Sequence, residues 1–345
     1  MTPLTLDEKT TRPDIAVISM SSSLLDFESS RSLEEMIFDT TTAALDSVAL
    51  KAADLDGIVL SGNDQLDGRV ISIMATAGPA GGVGHDTTMV ASSADHALAY
   101  GYLRLRAGQG KNVLVVGWAK PSESADPDRA ELMEAEPYLL RPTGMNNTIA
   151  AALQASTWLT DENVPDPSQQ FVAWPLRRED LPARGDTVHA IVLAVDGEFP
   201  AGSELAWVVD AGWASTSYEI GTRNLGDLSS LHSAAEQIFN RNPQATPDHW
   251  DAVEIAGNSE YAVRAVQHSF PLRESTGVNL SGSLSERPTS PYVAGLSRMV
   301  AAIEAVRPSS LPADGLRLTA GIGFNGFAGQ GATVIVFSNS KGGKE

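Results

Sequence analysis

Two aspartate-led apolar runs constrain this chain more than any other feature: "DLDGIVLSG" (Asp54–Gly62) and "DHWDAVEIAG" (Asp248–Gly257). Each has the length of a strand and is stopped by glycine. Each is preceded by a helical pattern and followed, after an excursion, by another helical pattern and another apolar strand. In the first half the leading helix starts at Ser32, where Ser32 and Glu35 form an S-x-x-E capping box. Leu33, Ile37, Ala44 and Val48 then recur at helical spacing. In the second half, helices are expected over about 227–240 and 291–306, with "LRLTAGIG" as the closing strand. Such a repeated order predicts a duplicated α/β unit. Each half needs its sheet covered, so two sheets flanking shared central helices are expected.

The stretch "TTMVASSADHALAYGYLRLRAGQGKNVLVVG" (Thr87–Gly117) reads as a short strand, an abrupt turn, a helix and a second strand. Ala94, Ala97, Leu98, Gly101 and Leu105 make one helical stripe, and its small residues permit close packing. Gly108 is a natural helix stop. "KNVLVVG" has no alternation and reads as a strand buried on both faces. Residues 121–184 are poor in pattern and predict a connecting or capping excursion with one helix over 146–159. "DTVHAIVLAVDG" and "ELAWVVDAGW" are expected to be two adjacent strands. The chain thus divides into a flexible tail (1–13), a first half (14–220) and a second half (221–345).

Composition narrows the function. The 345 residues fit one large domain or two intimately packed ones. A net charge of −19, from 24 basic and 43 acidic residues, repels phosphate backbones and argues against nucleic-acid binding. There is no cysteine, hence no disulfide, no thiolate metal site and no thiol catalysis. The six histidines show no metal-ligand spacing, so no metal site is expected. No apolar run approaches the ~18 residues of a membrane span, and the N-terminus lacks a signal-peptide core. A soluble, cytoplasmic protein with no membrane contact is expected.

Four segments carry a family resemblance. "ASSADHAL" resembles the C-S-S-x-x-x-A-L signature of thiolase-superfamily condensing enzymes. "KNVLVVG", "TSPYVAGL" (Thr289–Leu296) and "GFNGFAGQGA" (Gly323–Ala332) resemble, in the same order, motifs of the ketoacyl synthase III branch. The resemblance implies a five-layered αβαβα fold of two duplicated halves and a two-fold dimer. It also implies a Cys-His-Asn triad that loads an acyl group from coenzyme A or a carrier protein. This chain departs from the triad at every member. The nucleophile position falls on Ala91, or on Val90 with a one-residue slip. The histidine position falls on Ile255, and the second asparagine falls within "LSE", at Ser285. A degradative-thiolase alignment moves the histidine to Arg287 or Ser290 without supplying one.

What remains for a pocket is Ser92, Ser93, Asn258, Tyr292, Phe324 and Asn325. Ser92 and Ser93 read first as helix N-caps, since a helix terminus cannot ionise a hydroxyl at neutral pH without a base. Tyr261 and Tyr292 read first as packing aromatics and second as acid–base groups. "GIGFNG" (Gly321–Gly326) matches a dinucleotide fingerprint, but a strand follows it where a helix is required, so that reading fails.

The resemblance with an emptied triad implies a non-catalytic, cysteine-free subunit of a heteromeric ketosynthase or acyltransferase in specialised-metabolite biosynthesis. The expected partner is a cysteine-bearing thiolase-fold subunit that brings acyl-CoA or acyl carrier protein. No bound cofactor is expected, and a coenzyme A or phosphopantetheine thioester is the substrate of the complex. The alternative is a cysteine-independent enzyme, either an acyl-CoA aldol lyase or a serine-dependent acyltransferase.

Overall fold

The computed structural model describes residues 12–27, 30–68, 71–307 and 317–343. Most of the tail expected over 1–13 lies outside them. Ten strands form one mixed sheet: β1 (Ile15–Asp26), β2 (Ile58–Ser61), β3 (Thr87–Met89), β4 (Asn112–Ala119), β5 (Gly185–Val195), β6 (Ala206–Ser215), β7 (Ala252–Ile255), β8 (Gly277–Val278), β9 (Leu318–Asn325) and β10 (Gly331–Ser338). Their order is β3-β2-β4-β5-β1-β6-β10-β9-β7-β8. Read outward from the middle, the second half repeats the first strand for strand. β2 is parallel to β3 and β4, as β7 is to β8 and β9. β4, β5 and β1 are antiparallel in turn, as are β9, β10 and β6. The two half-sheets join where Ile15, Ala16 and Val17 of β1 pair with Val208, Trp207 and Ala206 of β6.

Two expectations need correction. The expected two sheets are one, continuous through the β1–β6 pairing, and its two halves form the two β layers. β5 and β6 are consecutive but not adjacent, because β1 lies between them. Apolar content marks a strand without naming its partner, and here the partner comes from the far end of the chain. By topology β6 holds in the second half the place that β1 holds in the first.

Period-two burial sorts the strands into layers. Val113 and Val115 of β4 face the central layer, while Leu114 and Val116 face the outer one. Ile335 and Phe337 of β10 likewise face the centre, and Val334 and Val336 face out. The central layer is made by α3 (Ala94–Arg106) and α8 (Pro291–Val306), packed together through Ala97, Leu98, Leu296 and Met299. The first outer layer is α1 (Leu33–Asp46), whose Leu33, Met36 and Ile37 cover Leu60, Val116 and Val192. The second holds α6 (Ser229–Arg241) and α7 (Glu260–Ser269), covering Val253 and Val334. This is a five-layered αβαβα arrangement. The short α2 (Ser72–Thr76) joins the first half, and α4 (Pro127–Glu134) and α5 (Asn147–Ser156) lie in the excursion between β4 and β5.

Local sequence explains the ends. The Ser32–Glu35 capping box starts α1 as expected. Gly108, at φ 74°, follows α3 in the left-handed conformation that glycine adopts without cost. The small stripe on α3 matters at Gly101, where a Cβ would lie 2.8 Å from Val115.

The two leading aspartates also have a common physical role. Asp56, ahead of β2, accepts the backbone N–H groups of Lys111 (2.6 Å) and Asn112 (3.3 Å) at the start of β4. Asp251, ahead of β7, accepts those of Arg317 (2.7 Å) and Leu318 (3.0 Å) at the start of β9. Each ties one parallel strand to the next where the ladder begins. Partial burial pushes the Asp251 pKa up. The Arg317 and Leu318 amides and the Arg273 guanidinium outweigh that and hold it below the ordinary carboxylate value.

Candidate functional site

The chain leaves β3 at Met89 and turns sharply into α3, with Ser93 at the N-cap position. That turn opens on a cavity of about 1290 Å³, walled by both halves and by the excursion. Ala91 is exposed on its wall. Ser92, Ser93, Asn258, Tyr292, Phe324 and Asn325 border the same cavity, so one site gathers residues from β3–α3, β7–α7, α8 and β9. Ile255 and Ser285 do not border it. Ile255 is fully buried in the second outer core, its N–H donated to Asn279 Oδ1 at 2.6 Å. Ser285 is exposed, 3.3 Å from the Ser283 hydroxyl. The polar residues bordering the cavity from that wall are Asn258, Thr289 and Tyr292.

None of the six histidines borders the cavity. His96 lies against Trp213 with ring centroids 5.0 Å apart, and burial pulls its pKa down. His189 is fully buried between Ser22 and Ser297, each at 2.7 Å, and burial pushes its pKa down to about 3. Tyr261, the other tyrosine singled out by sequence, stands off the cavity beneath the Arg264 guanidinium, 4.7 Å from its ring centre.

The serine-cap expectation also needs correction. Ser93 sits at the N-cap with extended backbone, but its side chain makes no capping bond. Its hydroxyl instead accepts from Asn325 Nδ2 at 3.3 Å. The tertiary partner on β9 wins over the local one. Behind it, Asp95 of the first helical turn is fully buried. Neither of its oxygens has a hydrogen-bond partner of good geometry. Burial pushes its pKa up. The carboxyl is clasped by two glycines: a Cβ at Gly295 would lie 2.2 Å from Oδ1, and one at Gly323 would lie 2.4 Å from Oδ2.

Sequence reasoning missed the excursion's contribution. Asp128, Glu131 and Glu134 of α4 all border the cavity. Their spacing of three residues was the available signal, because it sets carboxyls along one side of a helix. Arg184 binds two of them, Asp128 at 2.5 Å and Glu131 at 2.9 Å. Glu134 receives a hydrogen bond from Asn63 Nδ2 at 2.8 Å and is in no ion pair among the described residues. Burial first, then the neighbouring Glu131 charge, push its pKa up to about 8. It therefore holds a proton at neutral pH and can release one just above it.

The sequence matches no protein-family model and no curated protein sequence. Solved structures do match. Human mitochondrial 3-ketoacyl-CoA thiolase in complex with CoA superposes with a TM-score of 0.72 at 12% identity, over 95% of this chain and 98% of that one. A second structure of the human enzyme gives 0.70 at 11% identity, over 94% and 98%. The chain has a thiolase-like fold. In that thiolase-like frame the cavity lies at the start of the central helix α3, and alanine occupies the turn. Among the described residues no helix is long and apolar enough to cross a membrane, and no cluster of three histidine, aspartate or glutamate side chains could hold a metal ion.

Proposed function

We propose that this chain binds an acyl-CoA or acyl-carrier thioester in the α3 cavity without forming an acyl-enzyme, as the thiol-free subunit of a heteromeric ketosynthase or acyltransferase. The observation that carries the reading is Ala91, exposed on the cavity wall where the helix N-terminus would otherwise favour a thiolate. The cavity is large enough to hold a ligand and is pre-formed. The thiolase-like fold and the CoA complex of one structural neighbour support a thioester as its occupant. The ketoacyl synthase III resemblance supports a biosynthetic role, and a cytoplasmic location is proposed with it.

The partner reading rests on β3. Among the described residues that strand pairs with β2 alone and ends the sheet, so its outer edge is the place where another strand could add. Met74 and Val83 nearby are largely exposed. A cysteine-bearing thiolase-fold chain, less acidic than this one, would continue the sheet there and supply the entrance for an anionic phosphopantetheine arm. The obligate interface expected buries more than ~2,000 Å².

Three measurements test the proposal. Calorimetry should detect acyl-CoA binding by the isolated chain while its intact mass stays unchanged. Co-expression with a cysteine-bearing thiolase-fold chain should give a complex. Ala91→Cys should yield at most slow self-acylation, because no histidine borders the site to assist. A stable covalent adduct on the native chain would sink the proposal, and so would a homodimer that ignores every such partner. Condensation by the single mutant would show that the triad positions are misassigned.

A cysteine-independent enzyme is the second reading, and Glu134 is the observation that favours it. The serine-dependent version has less support, since Ser93 already accepts from Asn325 and His96 is engaged with Trp213.

A further inference from the structure

We infer that Glu134 is a proton-transfer group for the ligand of this cavity, acting on the hydrogen next to a thioester carbonyl. The inference rests on thioester binding as proposed above and adds a chemical step to it. Helix α4 is started by Asp126, whose side chain accepts from Arg129 N–H, and by Pro127 in its first turn. It therefore presents Asp128, Glu131 and Glu134 to the cavity in one row. Arg184 serves the first two and leaves the third with a neutral amide partner, Asn63. One guanidinium cannot make three neighbouring carboxylates comfortable in a partly desolvated wall. The third holds its proton most readily, and a group poised in that way can both take and return a proton.

The step balances without any co-reactant. The ionised carboxylate of Glu134 takes the α-hydrogen as a proton. The C–H pair becomes the C=C bond of the enolate, the C=O pair moves to oxygen, and an O–H bond forms on Glu134. Return of the proton from Glu134 restores the thioester. Negative charge on the enolate oxygen suits the start of α3, which borders the same cavity and whose N–H groups the Ser93 side chain leaves uncapped.

The test uses the full chain and butyryl-CoA in deuterium oxide. Binding is read by calorimetry, and loss of the α-proton signal by magnetic resonance. The wild type should exchange the α-protons faster than buffer, with a rate that rises through about pH 8. Glu134→Gln should bind equally well and exchange about 100-fold more slowly, the lower end of what a positioned base contributes. Glu134→Asp should recover part of the rate, and thermal unfolding should show both variants folded. Binding by the wild type with exchange at the buffer rate would overturn this inference alone, as would unimpaired exchange by Glu134→Gln. Absence of wild-type binding would overturn the thioester reading and this inference with it.

Discussion

The two halves of the molecule share a core and differ in one connection. β9 passes to β10 through residues 326–330, a tight turn with Gly326 and Gly329 at φ 65° and 66°. The equivalent passage from β4 to β5 takes residues 120–184 and carries α4 and α5. Strand order, parallel pairs, central helix and strand-capping aspartate are all duplicated. The acidic row on α4 is not. Duplication thus builds the frame and brings Ala91, Asn258 and Asn325 to one cavity, while the unequal connection supplies most of the acidic and basic side chains that border it.

If the shared centre holds both halves, the largest loss of stability should come from crowding it. Gly323→Ala sets a methyl 2.4 Å from Asp95 Oδ2, and Gly295→Ala sets one 2.2 Å from Oδ1. Neither the strand nor the helix can yield cheaply, so each should cost about 3 kcal/mol, at the upper end of ordinary overpacking. Chemical denaturation would measure it, and hydrogen exchange should show protection lost in both halves together. Asp95→Ala combined with Gly323→Ala should recover part of the loss, since the two side chains compete for one space. Additive losses would break the argument. Gly144→Ala in the excursion is the control. Its φ of 77° makes a side chain costly by ~1 kcal/mol, but nothing crowds it.

The strand-capping aspartates sharpen the comparison at a smaller scale. Asp56→Ala and Asp251→Ala each leave two strand-start N–H groups without their acceptor and should cost ~1–2 kcal/mol. The second should cost more, because Asp251 also binds Arg273 at 2.7 Å. Its lowered pKa sets the pH window: the contribution is complete above the ordinary aspartate range and disappears as pH falls through the lower folded value. Equal losses at every pH would show that the duplication is only geometric.

The duplicated part was the part legible in the sequence. α8 spans Pro291–Val306 as expected, and the Ser32 box and the α3 stripe behave as their patterns imply. These are local or periodic signals, and a linear reading can follow them. The misreadings concern partners that are distant in sequence. β1 inserts between β5 and β6, and Asn325 draws Ser93 away from capping. Glu134 was passed over for the same reason. Nothing near it in sequence tells that Arg184 will serve Asp128 and Glu131 and leave it out.

The last comparison isolates the excursion. Glu134 has a folded pKa of about 8 against an ordinary value of 4.5, so between those values the folded chain holds a proton that the unfolded chain has released. Stability then falls as pH rises through that window and levels off above it, opposite in sign to Asp251. Glu134→Gln removes the titration while keeping a neutral side chain of similar shape. Denaturant midpoints measured from about pH 5 to about pH 9 should therefore slope less for the variant, with the two proteins closest at the acid end, where Glu134 is protonated in both states. The frame of both halves is untouched by the change, so the variant's m-value should match the wild type. Parallel slopes would mean that Glu134 is ionised in the folded chain at neutral pH. The excursion would then differ from the second half in length alone and not in chemistry.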